Sequence, residues 1–314
     1  MSSTRITNRL LRALFIWLSE SKSLRAIAEK SSLGLRISSR FVAGTTVDEA
    51  LAATAAVNAQ GCSVSLDSLG ENVSDAEAAK RSAEIYHRLL DEIAARRLDA
   101  NVSVKLTQMG LDVSDVLARG ITGGIVEHAA RHGNFVRIDM ESSAYTDRTL
   151  RVVHELHAVD GNARHVGAVI QAYLYRSEKD VGELLDQGIR MRLCKGAYKE
   201  PAEIAFQKKA DVDANYVRLM KMLLKSGVYH GIATHDPKMI AATREFAHAE
   251  RIPPDAFEFQ MLYGIRRDLQ QQLVKEGWRM RVYIPFGSEW YPYFMRRLAE
   301  RPANVFFVLK NLWR

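Results

Sequence analysis

Arg279-Met280-Arg281-Val282-Tyr283-Ile284-Pro285-Phe286-Gly287 reads as a strand brought to a stop. Met280, Val282 and Ile284 alternate with Arg279, Arg281 and Tyr283, and Pro285 and Gly287 end the run. Ser288-Glu289-Trp290-Tyr291-Pro292-Tyr293-Phe294-Met295-Arg296-Arg297-Leu298-Ala299-Glu300 then reads as a helix, with Ser288 a candidate N-cap. Tyr293, Arg296, Arg297 and Glu300 stand at i, i+3, i+4 and i+7, so they share one face. Two guanidiniums beside a tyrosine form a fork suited to a carboxylate. The same spacing also describes a solvated face on which Glu300 pairs with Arg296.

Working back from this unit, the same alternation recurs. Strand-like runs fall at about Cys62–Leu66, Val102–Leu106, Phe135–Ile138, Val166–Tyr173, Ile189–Leu193, Tyr229–Ala233, Phe257–Phe259 and Met280–Ile284. Helical patterns separate them, with starts at Thr46-x-x-Glu49, Ser74-x-x-Glu77, Ser177-x-x-Asp180 and Asp236-Pro237. Such an array predicts a (β/α)8 TIM-type barrel. A doubly wound α/β sheet is the other candidate, but no Gly-x-Gly-x-x-Gly follows the first strand. With no Pro- or Gly-rich linker, the expected division is N-terminal helices over 1–60 packed on a barrel over 61–314.

The chain has 314 residues, 47% of them hydrophobic, enough for a large core. A net charge of +7 suits an acidic small substrate, a phosphate-bearing cofactor or an anionic membrane surface, and equally plain solubility. No nucleic-acid module is visible. Two cysteines, Cys62 and Cys194, lie in apolar runs without metal or disulfide spacing, which points to a reducing, cytoplasmic setting. No run approaches the ~20 apolar residues that span a bilayer. Leu10, Leu11, Leu14, Phe15 and Leu18 form an apolar stripe among Arg5, Arg9, Arg12, Lys22 and Arg25. It suits a helix docked peripherally on the inner face of an anionic membrane, or one packed on the barrel.

Barrel chemistry gathers at the C-terminal strand ends. Nearly every strand carries a polar residue there: Asp67, Lys105, Asp139, Gln171, Arg192 with Lys195, Thr234 with His235, Gln260 and Tyr283. Such a ring indicates an active site. Asp139 between two cations would stay ionised and fix Lys105 and Arg192. As a lesser reading, Lys105–Asp139 is a structural ion pair. Gly196 lets the backbone approach a ligand beside the Lys195 cation.

Set in order, these motifs resemble the proline dehydrogenase family over about residues 35–314. The run Pro285-Phe286-Gly287…Trp290-Tyr291-Pro292-Tyr293-x-x-Arg296-Arg297-Leu298-x-Glu300 is similar to its C-terminal signature. Ser103-Val104-Lys105-Leu106-Thr107-Gln108, Arg137-Ile138-Asp139-Met140-Glu141, Arg192-Leu193-Cys194-Lys195-Gly196-Ala197-Tyr198 and Phe259-Gln260-Met261-Leu262-Tyr263-Gly264 are similar to internal ones. Cys194 stands where valine is frequent, and Phe286 where tyrosine is. The resemblance implies a monofunctional flavoprotein of proline catabolism. It would oxidise L-proline to Δ1-pyrroline-5-carboxylate by hydride transfer to FAD and pass electrons to a quinone.

By the same resemblance, the last helix lies over the barrel mouth, where Arg296 and Arg297 hold the proline carboxylate with Lys105 adding charge. Tyr198, Leu262, Tyr283 and Tyr293 line the substrate pocket. Asp139 orients the lysine, as an organiser rather than a base. Arg192 lies by the redox-active edge of the flavin. Met140, Gln171, Arg192, Lys195, Gly196, Ala197, Thr234, His235 and Gln260 are implied as FAD contacts. Tyr293 would occupy the space of a 4-hydroxyl, favouring proline over hydroxyproline. A competing reading is a Schiff-base lyase or aldolase using Lys105 or Lys195. Another is a barrel that binds an anionic metabolite without turnover.

Overall fold

A computed structural model of the chain describes residues 39–291 and residue 295. Helix α1 (Val47–Asn58) comes first. Strands and helices then alternate: β1 (Ser63–Ser68), α2 (Ala76–Ala95), β2 (Ala100–Val104), α3 (Asp115–Arg131), β3 (Val136–Ile138), α4 (Thr146–His157), β4 (Val166–Gln171) and α5 (Ser177–Asp186). The second half continues with β5 (Arg190–Cys194), α6 (Lys209–Lys225), β6 (His230–Ala233), α7 (Pro237–Ala249), β7 (Phe257–Leu262), α8 (Arg267–Lys275) and β8 (Met280–Phe286).

The eight strands are all parallel and close on themselves, β8 pairing with β1 from Ser63↔Arg281 to Ser68↔Phe286. This is the expected (β/α)8 barrel, and the doubly wound sheet is excluded. Closure explains the strand composition. Strands covered by helices outside and side chains inside are buried on both faces, and β2 and β4 are buried at every position. The helices pay water a polar face and turn an apolar stripe inward: on α2, Ala79, Ala83, Tyr86, Leu90 and Ile93 follow the helical repeat and are buried.

The strand ends differ in detail from the pattern-based ones. β2 stops at Val104, so Lys105 stands on the loop just past it, and β7 runs on to Leu262. Two helix starts are corrected. Asp75, not Ser74, caps α2, its carboxylate accepting from the Ala78 N–H at 2.8 Å. At α5 the N-cap is Arg176; the buried Ser177 hydroxyl instead donates to the Gln171 carbonyl at 2.5 Å. The Thr46–Glu49 capping box and the Asp236 cap with Pro237 behind it are present.

Residues 42–44 run beside the end of β8. The Ala43 N–H donates to the Pro285 carbonyl, and the Gly287 N–H to that of Gly44. Val42 and Leu69 bury Trp290 and Tyr291 in a small separate cluster. That anchors the chain where it leaves the barrel, at the C-terminal end of β8. Tyr293, Arg296 and Arg297 lie outside the described residues, as does the amphipathic stretch from Leu10 to Leu18. Among the described residues no helix is long and apolar enough to cross a membrane.

Candidate active site

Arg192 is the hub of the barrel mouth. It projects from β5, and its fork reaches four partners on four other strands or strand ends. Nη1 donates to Asp139 at 2.7 Å, Nε to the Gln260 amide oxygen at 2.5 Å, and Nη2 to the hydroxyls of Ser103 and Ser65 at 3.0 and 3.3 Å. Its guanidinium also sits over the Tyr283 ring, 5.1 Å from the centroid. The other Asp139 oxygen accepts from the Tyr283 hydroxyl at 2.8 Å. Burial, reinforced by the Asp139 and Asp67 charges, pushes the Tyr283 phenol far above its ordinary range, so it remains a donor.

The charges divide differently from the expected arrangement. Asp139 holds Arg192, while Lys105 sits on Asp67, its ammonium 2.8 and 2.9 Å from the two carboxylate oxygens. Both members are largely buried, at 12% and 1% side-chain exposure, so neither is screened by water. Burial works against the Lys105 charge. The carboxylates of Asp67 and Asp139 outweigh it and hold the ammonium well above the usual lysine range. A lysine held charged in this way is a poor Schiff-base nucleophile, which needs a lowered pKa. Cys194 is no nucleophile either: burial pushes its thiol up to about 12.

A second cluster lies over β5 and β6. The Lys195 ammonium bonds Asp213 at 2.5 Å and Asp236 at 2.7 Å, and Lys209 closes a four-charge ring with the same two acids. Lys195 is therefore clasped by carboxylates. Next to it Gly196 has φ +116°, and an added Cβ would run into the Tyr173 ring. Ala197 and Tyr198 follow on an exposed loop that Glu200 pins down, accepting from the Ser143 N–H at 2.8 Å and its hydroxyl at 2.5 Å. The Thr234 hydroxyl accepts from the Asp236 N–H, and His235 Nε2 accepts from the Leu262 N–H at 2.9 Å, tying the β6 loop to β7.

Gln171 supplies a test for a bound group. Its amide nitrogen donates to the Glu141 carbonyl at 2.7 Å and to that of Met140 at 3.4 Å. Its amide oxygen is buried and has no partner. Such an orphan acceptor is costly unless a donor arrives. An oxidised isoalloxazine ring carries one N–H donor, so the residues here fit that end of a flavin. At the Lys195 end, a diphosphate would have to compete with Asp213 and Asp236.

Three residues that motif reading left out of the site prove central to it. Asp67 holds Lys105; Glu141 binds the Thr107 N–H and hydroxyl at 3.1 and 2.7 Å; Asp213 clasps Lys195. Asp67 had a signal, as a carboxylate ending a strand, and Glu141 stood in the third-strand motif without a role assigned to it; Asp213 had none. Two open cavities of about 470 and 400 Å³ lie at the opposite end of the barrel, around Arg190 and Arg281. Barrel enzymes place their chemistry at the other face, and that is where the charged network sits.

The closed barrel and the network of paired charges at its C-terminal face have the layout of a barrel enzyme. The proline dehydrogenase family model matches residues 50–310. The chain is 41% identical over 304 residues to proline dehydrogenase 1 of Bacillus subtilis subsp. natto, covering 96% of this chain and 99% of that one. It is 40% identical over 308 residues to the proline dehydrogenase of Deinococcus radiodurans, covering 97% and 98%. Its fold matches the crystal structure of proline utilization A from Bdellovibrio bacteriovorus inactivated by N-propargylglycine, with TM-score 0.81 and 27% identity. That match takes in 93% of this chain but only 36% of the larger one, so the chain corresponds to about a third of that protein. The chain belongs to the proline dehydrogenase family of oxidoreductases.

Proposed function

We propose that the barrel mouth oxidises L-proline to Δ1-pyrroline-5-carboxylate with FAD as its cofactor. The observation that carries this is the Asp139–Arg192–Tyr283 network beside the unpartnered Gln171 oxygen, in a chain similar end to end to proline dehydrogenases. When bound, FAD supplies the two-electron acceptor for a hydride from the proline ring carbon next to nitrogen.

The chain's own residues then have distinct tasks. Arg192 would supply a fixed positive charge to the hydride acceptor, which gains negative charge as it is reduced, and needs little reorganisation because four partners already hold it. Asp139 and Gln260 aim that fork and are positioning residues. Lys105, Arg296 and Arg297 receive the carboxylate, the two arginines as a bidentate fork. Tyr198, Leu262, Tyr283 and Tyr293 bound the apolar ring and keep water from the reacting carbon. Met140, Gln171, Gly196, Ala197, Thr234 and His235 hold the cofactor. Lys195 would reach its phosphates by exchanging one carboxylate partner for an anion of the same charge.

No side chain at the mouth is assigned as proton acceptor, so the substrate amine must arrive uncharged before C–N can become C=N. Lys105 stays charged through the neutral range. The logarithm of kcat/KM should therefore rise with pH, with slope about one below the amine pKa. Mass analysis of the product should show proline less two hydrogens. A flat profile would contradict the need for an uncharged amine, and borohydride trapping of a carbonyl substrate on Lys105 would favour the Schiff-base chemistry instead.

A membrane quinone as the electron acceptor gives the amphipathic N-terminus a purpose. The full chain should float with anionic vesicles, and a chain lacking residues 1–30 should not. Equal flotation of the two removes the idea of N-terminal docking.

A further inference from the structure

Away from the mouth, four titratable side chains meet on the outer surface between α2 and α3. His87 and Asp91 are one helical turn apart on α2. His128 and His132 are one turn apart at the end of α3, with His132 its C-cap. Each i,i+4 pair shares a face. Because α2 and α3 both connect successive parallel strands, they run side by side in the same direction, and the two faces meet near their C-terminal ends. Asp91 Oδ1 lies 2.6 Å from His128 Nε2 and 3.0 Å from His132 Nε2. His128 Nδ1 lies 2.8 Å from His87 Nδ1, and those two rings stack with centroids 4.9 Å apart.

We propose that Asp91, His128 and His132 bind a divalent transition-metal ion, Zn2+ by the chemistry of the donors, with His87 as the residue that orients His128. The three donor atoms lie within 4.8 Å of one another, and an ion about 2.0–2.2 Å from each fits among them after small side-chain movements. Two imidazoles and one carboxylate suit zinc and not magnesium or calcium, which prefer all-oxygen shells. A metal-bound histidine normally makes a hydrogen bond through its other ring nitrogen, and His87 provides that partner at Nδ1. The negative ends of both helix dipoles favour a cation here. Water completes the shell, since Asp91 and His132 are exposed.

The ion would clamp α2 to α3 at the basal end of the barrel, far from the reacting carbon. Its role is thus stability and not turnover: binding to the folded chain alone raises the melting temperature with metal concentration.

Calorimetric titration of Zn2+ into tag-free, chelator-treated, flavin-loaded protein should show one ion per chain. Addition of Co2+ should produce visible bands from a low-coordinate nitrogen and oxygen shell. His128→Ala with His132→Ala should abolish this binding, and His87→Phe should weaken it about 10–100-fold. Proline oxidation by each variant reports that the barrel is intact and should match that of the parent chain. Absence of saturable one-ion binding, or binding unchanged in the double histidine variant, overturns the proposal and leaves Asp91 as a simple hydrogen-bond acceptor.

Discussion

Arg192→Met should lose both stability and turnover, and the two losses should separate on rescue. Removing the guanidinium leaves Asp139 with Tyr283 as its remaining side-chain partner at the mouth, strands the Gln260 amide oxygen and the Ser103 hydroxyl, and leaves Ser65 with Asn101 and Gln260 with Glu258. Arg192 and Asp139 have side-chain exposures of only 8% and 13%, so water repairs little. Breaking a buried pair on one side costs about 3–5 kcal/mol, a large part of the ~5–15 kcal/mol that holds a typical domain. Turnover should fall about 10²–10³-fold, the range for losing one preorganised charge-stabilising donor. Arg192→Lys returns the charge but not the fork, so it should recover little rate. Adding Asp139→Asn to Arg192→Met removes the stranded charge. That double variant should regain melting temperature while staying inactive. Parallel recovery of both properties would mean Arg192 serves the fold alone.

Asp67→Asn should be the other severe change, with a signature in its pH dependence. In the parent chain Lys105 titrates above its unfolded value because carboxylates outweigh burial. Its contribution is therefore fully present below the unfolded pKa of about 10.4 and is lost only as pH rises through the still higher folded value. Without Asp67, burial becomes the dominant influence and the folded pKa drops below the unfolded one. The unfolded chain then binds more protons between the two values, so stability rises with pH in that window. At neutral pH the cost should be about 3–5 kcal/mol for a charge left without its close partner. Melting temperature followed upward from neutral pH should climb for Asp67→Asn and stay level for the parent until the alkaline range. Level curves for both would show that Asp139 takes over the pairing at no cost.

The barrel was legible because its signal is periodic. Strands such as β4 are apolar runs, others such as β8 alternate apolar with polar residues, and the helices carry an inward stripe, as Ala79 to Ile93 shows on α2. The polar ring was legible for a related reason: a strand end is a fixed address at the mouth, and Asp139, Arg192, Gln260 and Tyr283 do meet there. Which charge pairs with which was not legible. Asp67 and Asp139 flank the Lys105 strand end on opposite sides, and only side-chain direction decides that Lys105 turns to Asp67. Lys195 presents the same difficulty. Its partners Asp213 and Asp236 start from two different helices, so no local spacing links them. Ser177 looked like a cap because Ser-x-x-Asp is a capping pattern, yet its hydroxyl is drawn to a buried strand carbonyl.

The central claim is that the mouth holds a flavin which proline reduces. The most direct measurement is the visible spectrum of the purified chain before and after L-proline is added under nitrogen. A flavin absorbance that bleaches on addition of proline is the expected result. A protein that stays colourless after FAD is supplied, or a flavin band that proline leaves unchanged, would contradict it.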